Sequence, residues 1–245
     1  MGKFVAFAGL AIVGTLLVGA DANAAASYYN AFDTAVAGRV TSPGLTYPNL
    51  VTSGNKLTPA TNDQQGFSLG ATYGGDGTVT YISFLVAGST GDRHELGLAT
   101  GNTFGYREEA AFGTDGGSFK IMNGQDIPNG FATTNGGTFT GETSLIVAKI
   151  DQAANTLSLF ANPTVGQAEP GTATVTVSNY GDFTFGSFRL ANFDFSGNGA
   201  YSFDEVRVGA TFADVTPSAT LVPEPTALGL VAASGLLALR RRRAL

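Results

Sequence analysis

Apolar and polar positions alternate with a period of two through most of this chain, and no long 3.6-residue period occurs outside its two ends. Thr78 to Val86 (T-V-T-Y-I-S-F-L-V) is the strongest such run. Its second half is apolar on both faces, which predicts a strand deep in a two-layer sandwich. Gln65 to Tyr73 reads as the strand before it, joined through Gly74-Gly75-Asp76-Gly77, whose glycines tolerate the positive φ of a tight turn. His94 to Ala99, Phe104 to Phe112 and Ser118 to Met122 read as three more strands, the last two separated by Gly113 to Gly117. A hairpin is predicted at Ser144 to Ala161, turning at D-Q-A-A-N. Thr172 to Ser178, Phe183 to Leu190 and Tyr201 to Gly209 complete the series. Ser27 to Pro59 is irregular and predicts one or two short strands with long connections.

Turn signals recur roughly every eight to twelve residues, the spacing of an all-β sandwich or barrel. A repeat of about 20 to 50 residues, the mark of a propeller or solenoid, is not found. The expectation is an all-β chain with a single antiparallel β-sandwich over residues 25–217 and a linker at 218–221. A signal-peptide helix precedes this body and a transmembrane helix follows it.

The two ends have a different character. Lys3, an apolar run from Phe4 to Val18 and the small-residue ending Ala22-Asn23-Ala24 form the pattern of a secretory signal over residues 1–24. The other end runs Val222-Pro223-Glu224-Pro225, an uncharged apolar stretch from Thr226 to Leu239, then Arg240, Arg241, Arg242 and Arg243. The prolines discourage regular pairing with what precedes them. The arginine block favours the cytoplasmic side of a membrane. Thr226 to Leu239 would span about 21 Å as a helix at 1.5 Å per residue, whereas a hydrocarbon core takes about 20 residues to cross. That shortfall suits a temporary sorting tag better than a permanent anchor.

Composition narrows the body's chemistry. Between the two ends stand eight Lys or Arg and seventeen Asp or Glu, a net charge near −9. Such a body carries no electrostatic footprint for nucleic acid. Cysteine is absent, so neither a disulfide framework nor a thiol nucleophile exists. Tryptophan is absent too, so any stacking on sugar rings would fall to tyrosine or phenylalanine.

Two stretches carry a family resemblance. The V-P-E-P motif, apolar run and arginine cluster resemble the PEP-CTERM sorting signal. The resemblance implies export and recognition by exosortase, a membrane transpeptidase of Gram-negative bacteria that make extracellular polysaccharide or biofilm matrix. Val222, Pro223, Glu224 and Pro225 would then be the sorting motif, with Arg240 to Arg243 as the cytoplasmic stop. Ser202 to Pro217 (S-F-D-E-V-R-V-G-A-T-F-A-D-V-T-P) resembles the last strand of concanavalin A-like, LamG-like jelly rolls. The hairpin with L-I-V-A-K-I-D and T-L-S-L-F-A, and F-R-L-A-N, fit the same family. That resemblance implies that Val206 and Val208 point into the sandwich while Glu205 and Arg207 face the other side.

A glucanase of such a fold carries Glu-x-Asp-x-x-Glu on one strand, because alternation places those carboxylates on one face. No such run occurs, and the adjacent pairs Glu108-Glu109 and Asp204-Glu205 would point to opposite faces of a strand. His94 is the only histidine, no G-x-S-x-G elbow is present, and Gly88-Ser89-Thr90-Gly91 reads as a turn. His94 therefore reads as a strand residue between Arg93 and Glu95. Calcium ligands could come from Asp76 and Asp115 in Asp-Gly loops, and from Asp92, but Asp-Gly is equally common turn chemistry; the expectation is no metal and no cofactor. No phosphate-cradling glycine motif is found.

The reading of function that results is a non-enzymatic cell-surface or matrix protein with a structural or adhesive sandwich. A carbohydrate-binding module for extracellular polysaccharide is the alternative, and a glycoside hydrolase the remote one.

Overall fold

The computed structural model describes residues 26–32, 39–60, 63–100, 109–123, 133–193 and 201–219. Within them the strands are β1 (Tyr28–Asn30), β2 (Val40–Thr41), β3 (Lys56–Leu57), β4 (Gln64–Gly74), β5 (Val79–Gly88), β6 (Arg93–Ala99) and β7 (Ala110–Asp115). They continue as β8 (Ser118–Asn123), β9 (Thr133–Thr138), β10 (Ser144–Asp151), β11 (Thr156–Ala161), β12 (Val175–Ser178), β13 (Thr184–Phe193) and β14 (Tyr201–Gly209), followed by one helical turn, α1 (Phe212–Val215). The described pairings are antiparallel and form two sheets. One runs β12-β11-β10-β5-β14-β3-β2, with β1 also on β14; the other runs β4-β13-β6-β7-β8-β9. The expected antiparallel sandwich is what forms, as a jelly roll.

The core between the sheets follows from the alternation. Ile82, Phe84 and Val86 of β5 and Phe203, Val206 and Val208 of β14 meet Leu96 and Leu98 of β6 and Phe188 and Leu190 of β13, all buried. Removing one such side chain from water contributes about 1.5–3 kcal/mol. Val206 and Val208 point inward and Arg207 outward, as the resemblance implied.

Strand β5 is apolar on both faces for a reason beyond its depth in two layers. Its outward residues Tyr81 and Leu85 enter a second cluster with Leu45, Leu145, Val147, Phe160, Phe212 and Val215. The 42–55 segment, the stretch after β11 and α1 thus form a partial third layer over the eight-stranded sheet. Helix α1 was not foreseen, being too short to show a 3.6-residue period. Thr211 caps it and Asp214 closes the capping box, accepting from the Thr211 N–H at 2.7 Å. The Ser83 hydroxyl donates to the Val215 carbonyl at 2.7 Å, fixing its far end to β5.

Strand limits differ from expectation at several places. β7 runs on through Gly113 and Thr114 to Asp115, so its turn into β8 is only Gly116-Gly117, both at positive φ. The expected strand from Phe104 lies outside the described residues up to 108. β12 begins at Val175 rather than Thr172. Strand β9 (T-T-N-G-G-T) was not predicted, because it has no apolar alternation to reveal it. The described residues between Ser27 and Pro59 form three short strands rather than one or two. Backbone contacts continue past 217, where Ala219 donates to the Asn49 carbonyl at 2.8 Å.

Candidate functional site

The residues predicted for sorting and processing, Ala22, Ala24, Val222 to Pro225 and Arg240 to Arg243, lie outside the described residues, as does Glu108. Among the described residues no helix is long and apolar enough to cross a membrane, and no group of three His, Asp or Glu could hold a metal ion. The calcium candidates have separate environments. Asp76 is exposed in the β4–β5 turn, Asp92 is buried, and Asp115 pairs with Lys120 at 2.7 Å. His94 is a buried strand residue, its ring stacked on Tyr201 with centroids 5.5 Å apart. Its Nε2 lies 2.9 Å from the Ser89 carbonyl, which can only accept, so that nitrogen carries the proton.

The expectation for Asp204-Glu205 is overturned by a β-bulge. The register of β14 against β5 skips between Asp204 and Arg207, and Glu205 has φ of 56°, in the left-handed region. Phe203 and Val206 both stay inward, so the two carboxylates between them both face the 42–55 segment. Asp204 Oδ2 accepts from the Leu45 N–H and Oδ1 from the Glu205 N–H, each at 2.8 Å. Burial pushes the Asp204 carboxyl up to about 7, with those backbone donors opposing the rise and the Glu205 charge adding to it. Glu205 takes the Ser53 N–H, the Tyr29 hydroxyl at 2.8 Å and the Arg207 guanidinium at 2.5 Å. Arg207 lies 4.6 Å from the centre of the Tyr29 ring and donates to the Val51 carbonyl at 2.6 Å. Burial, then the bond to Glu205, pushes the Tyr29 hydroxyl up to about 12. This cluster clamps a segment down, with Asp204, Glu205 and Arg207 buried and Tyr29 half exposed at its edge.

The six-stranded sheet has its own charge cluster. Glu95, fully buried, bonds Arg189 at 2.6 Å through Oε1 and Arg93 at 2.5 Å through Oε2. Arg189 also donates to Gln64 at 2.6 Å, and both guanidiniums lie over the Phe193 ring, at 5.1 and 5.7 Å. Arg189 stands opposite Gly97 on one neighbour and Gly66 on the other, which leaves the guanidinium room to reach sideways. Sequence reasoning missed Arg189 and Gln64; Arg189 meets Glu95 on one side and Gln64 on the other only once the strand order is known.

Two depressions among the described residues bear on a site. One, of about 410 Å³, lies between α1 and Gln167 to Glu169. Its polar groups are used among themselves: Tyr81 donates to Glu169 at 2.5 Å and Lys149 to Glu169 at 3.2 Å, and burial with that first bond pushes the Tyr81 hydroxyl up to about 12. The other, of about 370 Å³, is lined by Ser68, Gly70, Ala71, Thr72, Thr100, Thr184, Phe185 and Gly186. It forms where β4 bulges away from β13. Pairing passes from Tyr73 opposite Phe185 to Ser68 opposite Ser187, so four residues of β4 stand against Gly186 alone. Gly70, at φ of 70°, makes that departure.

No family model and no curated protein matches this chain. Solved structures resemble it in fold. The binding domain of botulinum neurotoxin serotype D aligns with a TM-score of 0.50 at 9% identity, over 77% of this chain and 48% of that one. The CBM2 module of Lactobacillus casei BL23 phage J-1 evolved Dit aligns at 0.48 with 11% identity, over 75% and 94%. Bacillus licheniformis β-glucanase aligns at 0.46 with 13% identity, over 74% and 97%. This chain spans about half the length of the toxin domain it matches. What is shared with the toxin domain at this identity is the β-sandwich jelly-roll fold.

Proposed function

We propose that this chain is an exported surface or matrix protein whose β-sandwich is a non-enzymatic structural or adhesive module. Its tail, from Val222, is a sorting signal read by an exosortase-type membrane transpeptidase. One observation carries the reading of the body: its buried strand carboxylates are spent on structure. Glu95 is held between two guanidiniums, Glu205 by an arginine, a tyrosine and a backbone N–H, and Asp204 by two backbone N–H groups. A glycosidase acid or nucleophile must instead face the scissile bond across a cleft. The reading of the tail rests on its motif, apolar run and arginine block.

Expression of the full chain in an exporting host with and without an exosortase tests this. Intact mass is expected to show loss of the tail near Pro223 to Pro225 only when the enzyme is present, with no release of reducing ends from matrix polysaccharides. A tail retained beside active exosortase overturns the sorting role, and hydrolysis overturns the reading of the body.

A second reading, a carbohydrate-binding module, is favoured by the hydroxyl-lined depression at the β4 bulge. The fold it shares with the toxin binding domain is compatible with either reading.

A further inference from the structure

The depression at the β4 bulge differs from the rest of the body's surface in chemistry. The body carries about twice as many acids as bases, yet none of the eight lining residues is charged. Four of them, Ser68, Thr72, Thr100 and Thr184, are exposed hydroxyl residues. Each hydroxyl offers one donor and two acceptor sites, the same dual capacity as a sugar hydroxyl. Thr100 donates to Glu109 at 2.8 Å, which orients its oxygen as an acceptor and places a carboxylate just outside the rim. Phe185, also at the site, is buried in the core and stacked on Tyr73 with centroids 5.7 Å apart, which fixes the strand that carries Thr184 and Gly186. The volume of about 370 Å³ lies in the range of small-ligand sites. The bulge also interrupts the ladder at this edge, which works against continuation of the sheet by another strand.

We infer that this depression binds the glycosyl units of an uncharged polysaccharide. The inference rests on the carbohydrate-binding reading and adds the place and the charge selectivity. An acidic glycan would find no cation among the lining residues, would meet Glu109 and would be repelled by the body's net charge. The groove beside α1 is the weaker site, because its charged groups already satisfy one another.

Isothermal titration of the full chain in detergent micelles provides the test, using cellohexaose, maltohexaose, laminarihexaose and, as the acidic counterpart, hexagalacturonate. At least one neutral hexasaccharide is expected to bind and the acidic one is not. Gly186→Val fills the site from within the strand. A Cβ there lies 3.7 Å from the Ala71 carbonyl oxygen and 3.9 Å from Thr72 Oγ1, ordinary contacts, and Gly186 is not at positive φ, so the variant is expected to fold. It should weaken binding at least about tenfold by excluding the ligand. Thr184→Val removes one exposed hydroxyl with its shape kept and should weaken binding about fivefold, the weight of one hydrogen bond; it carries the test if Gly186→Val fails to fold. Equal binding by wild type and both variants overturns this site while the carbohydrate reading survives. Binding of the acidic hexasaccharide alone overturns the neutral selectivity. No binding of any of the four overturns the site and the carbohydrate reading together.

Discussion

Two buried carboxylates, Glu95 in β6 and Asp204 in β14, are equally closed to solvent, yet they are held in opposite ways. Glu95 has a guanidinium on each oxygen, and both arginines also lie over Phe193. Asp204 has a backbone N–H on each oxygen, while the nearby cation, Arg207, is bonded to Glu205 instead. Burial takes a carboxylate out of water in both places. At Glu95 the charge is returned by ion pairs across two strands; at Asp204 it is only partly offset by amide dipoles, and the carboxyl rises to about 7. The lesson concerns partner type. Cations make a buried acid a tie between strands, and amides alone make it a segment clamp whose protonation depends on pH.

The largest effect should come from breaking the first arrangement. Glu95→Gln keeps the shape but leaves the buried Arg189 and the half-buried Arg93 without their shared anion. Removing one partner of a buried ion pair costs about 3–5 kcal/mol. Urea unfolding of the full chain is expected to show a loss of this size with an unchanged slope. A loss under about 1 kcal/mol would place the pair among weak surface bridges.

The second arrangement is sharpened by pH. The folded-state pKa of Asp204 is raised above its ordinary value of 3.8, so between about pH 4 and 7 the folded state binds more protons than the unfolded state. The contribution of Asp204 to stability is therefore greatest at the acid end of that window and is lost as pH rises through about 7, at no more than about 1.4 kcal/mol per pH unit. Asp204→Asn cannot titrate, although its amide can accept only one of the two N–H groups. Plotted as the difference between wild type and variant, which cancels the other carboxylates, stability should fall from pH 5 to pH 8 and then level off. A flat difference would mean that Asp204 is ionised throughout that range.

Much of the fold was legible in the sequence, and the reasons are local. β14 runs from Tyr201 to Gly209 as predicted, because its inward residues alternate strictly at the end that carries Val206 and Val208. The β10–β11 hairpin was equally plain. β9 was hidden because its polar and glycine residues carry no period; Gly136 is needed there only because a Cβ would sit 2.3 Å from the carbonyl oxygen of Thr174, just before β12. The charge clusters were the least legible. Asp204 and Glu205 share a side through one residue at positive φ, and Glu95 meets Arg189 through strand order, which no run of residues encodes. The depression had one readable signal, Gly70 inside an otherwise alternating strand, since a glycine there often marks a bulge.

The smallest predicted effect separates the clamp's parts. The Tyr29 hydroxyl donates to Glu205 at 2.8 Å, and its ring lies against Arg207, but the side chain is about half exposed. Tyr29→Phe removes the hydroxyl and keeps the ring, so Glu205 retains Arg207 and the Ser53 N–H. Water reaches the vacated position, and the expected loss is about 0.5–1 kcal/mol. Tyr29→Ala removes the ring as well and should cost more, by the packing of Arg207 on an aromatic face, about 0.5–1 kcal/mol at a partly exposed site. If Tyr29→Phe alone costs as much as Glu95→Gln, then Glu205 depends on that hydroxyl rather than on Arg207. The contrast between cation-held and dipole-held acids would then move from Asp204 to its neighbour.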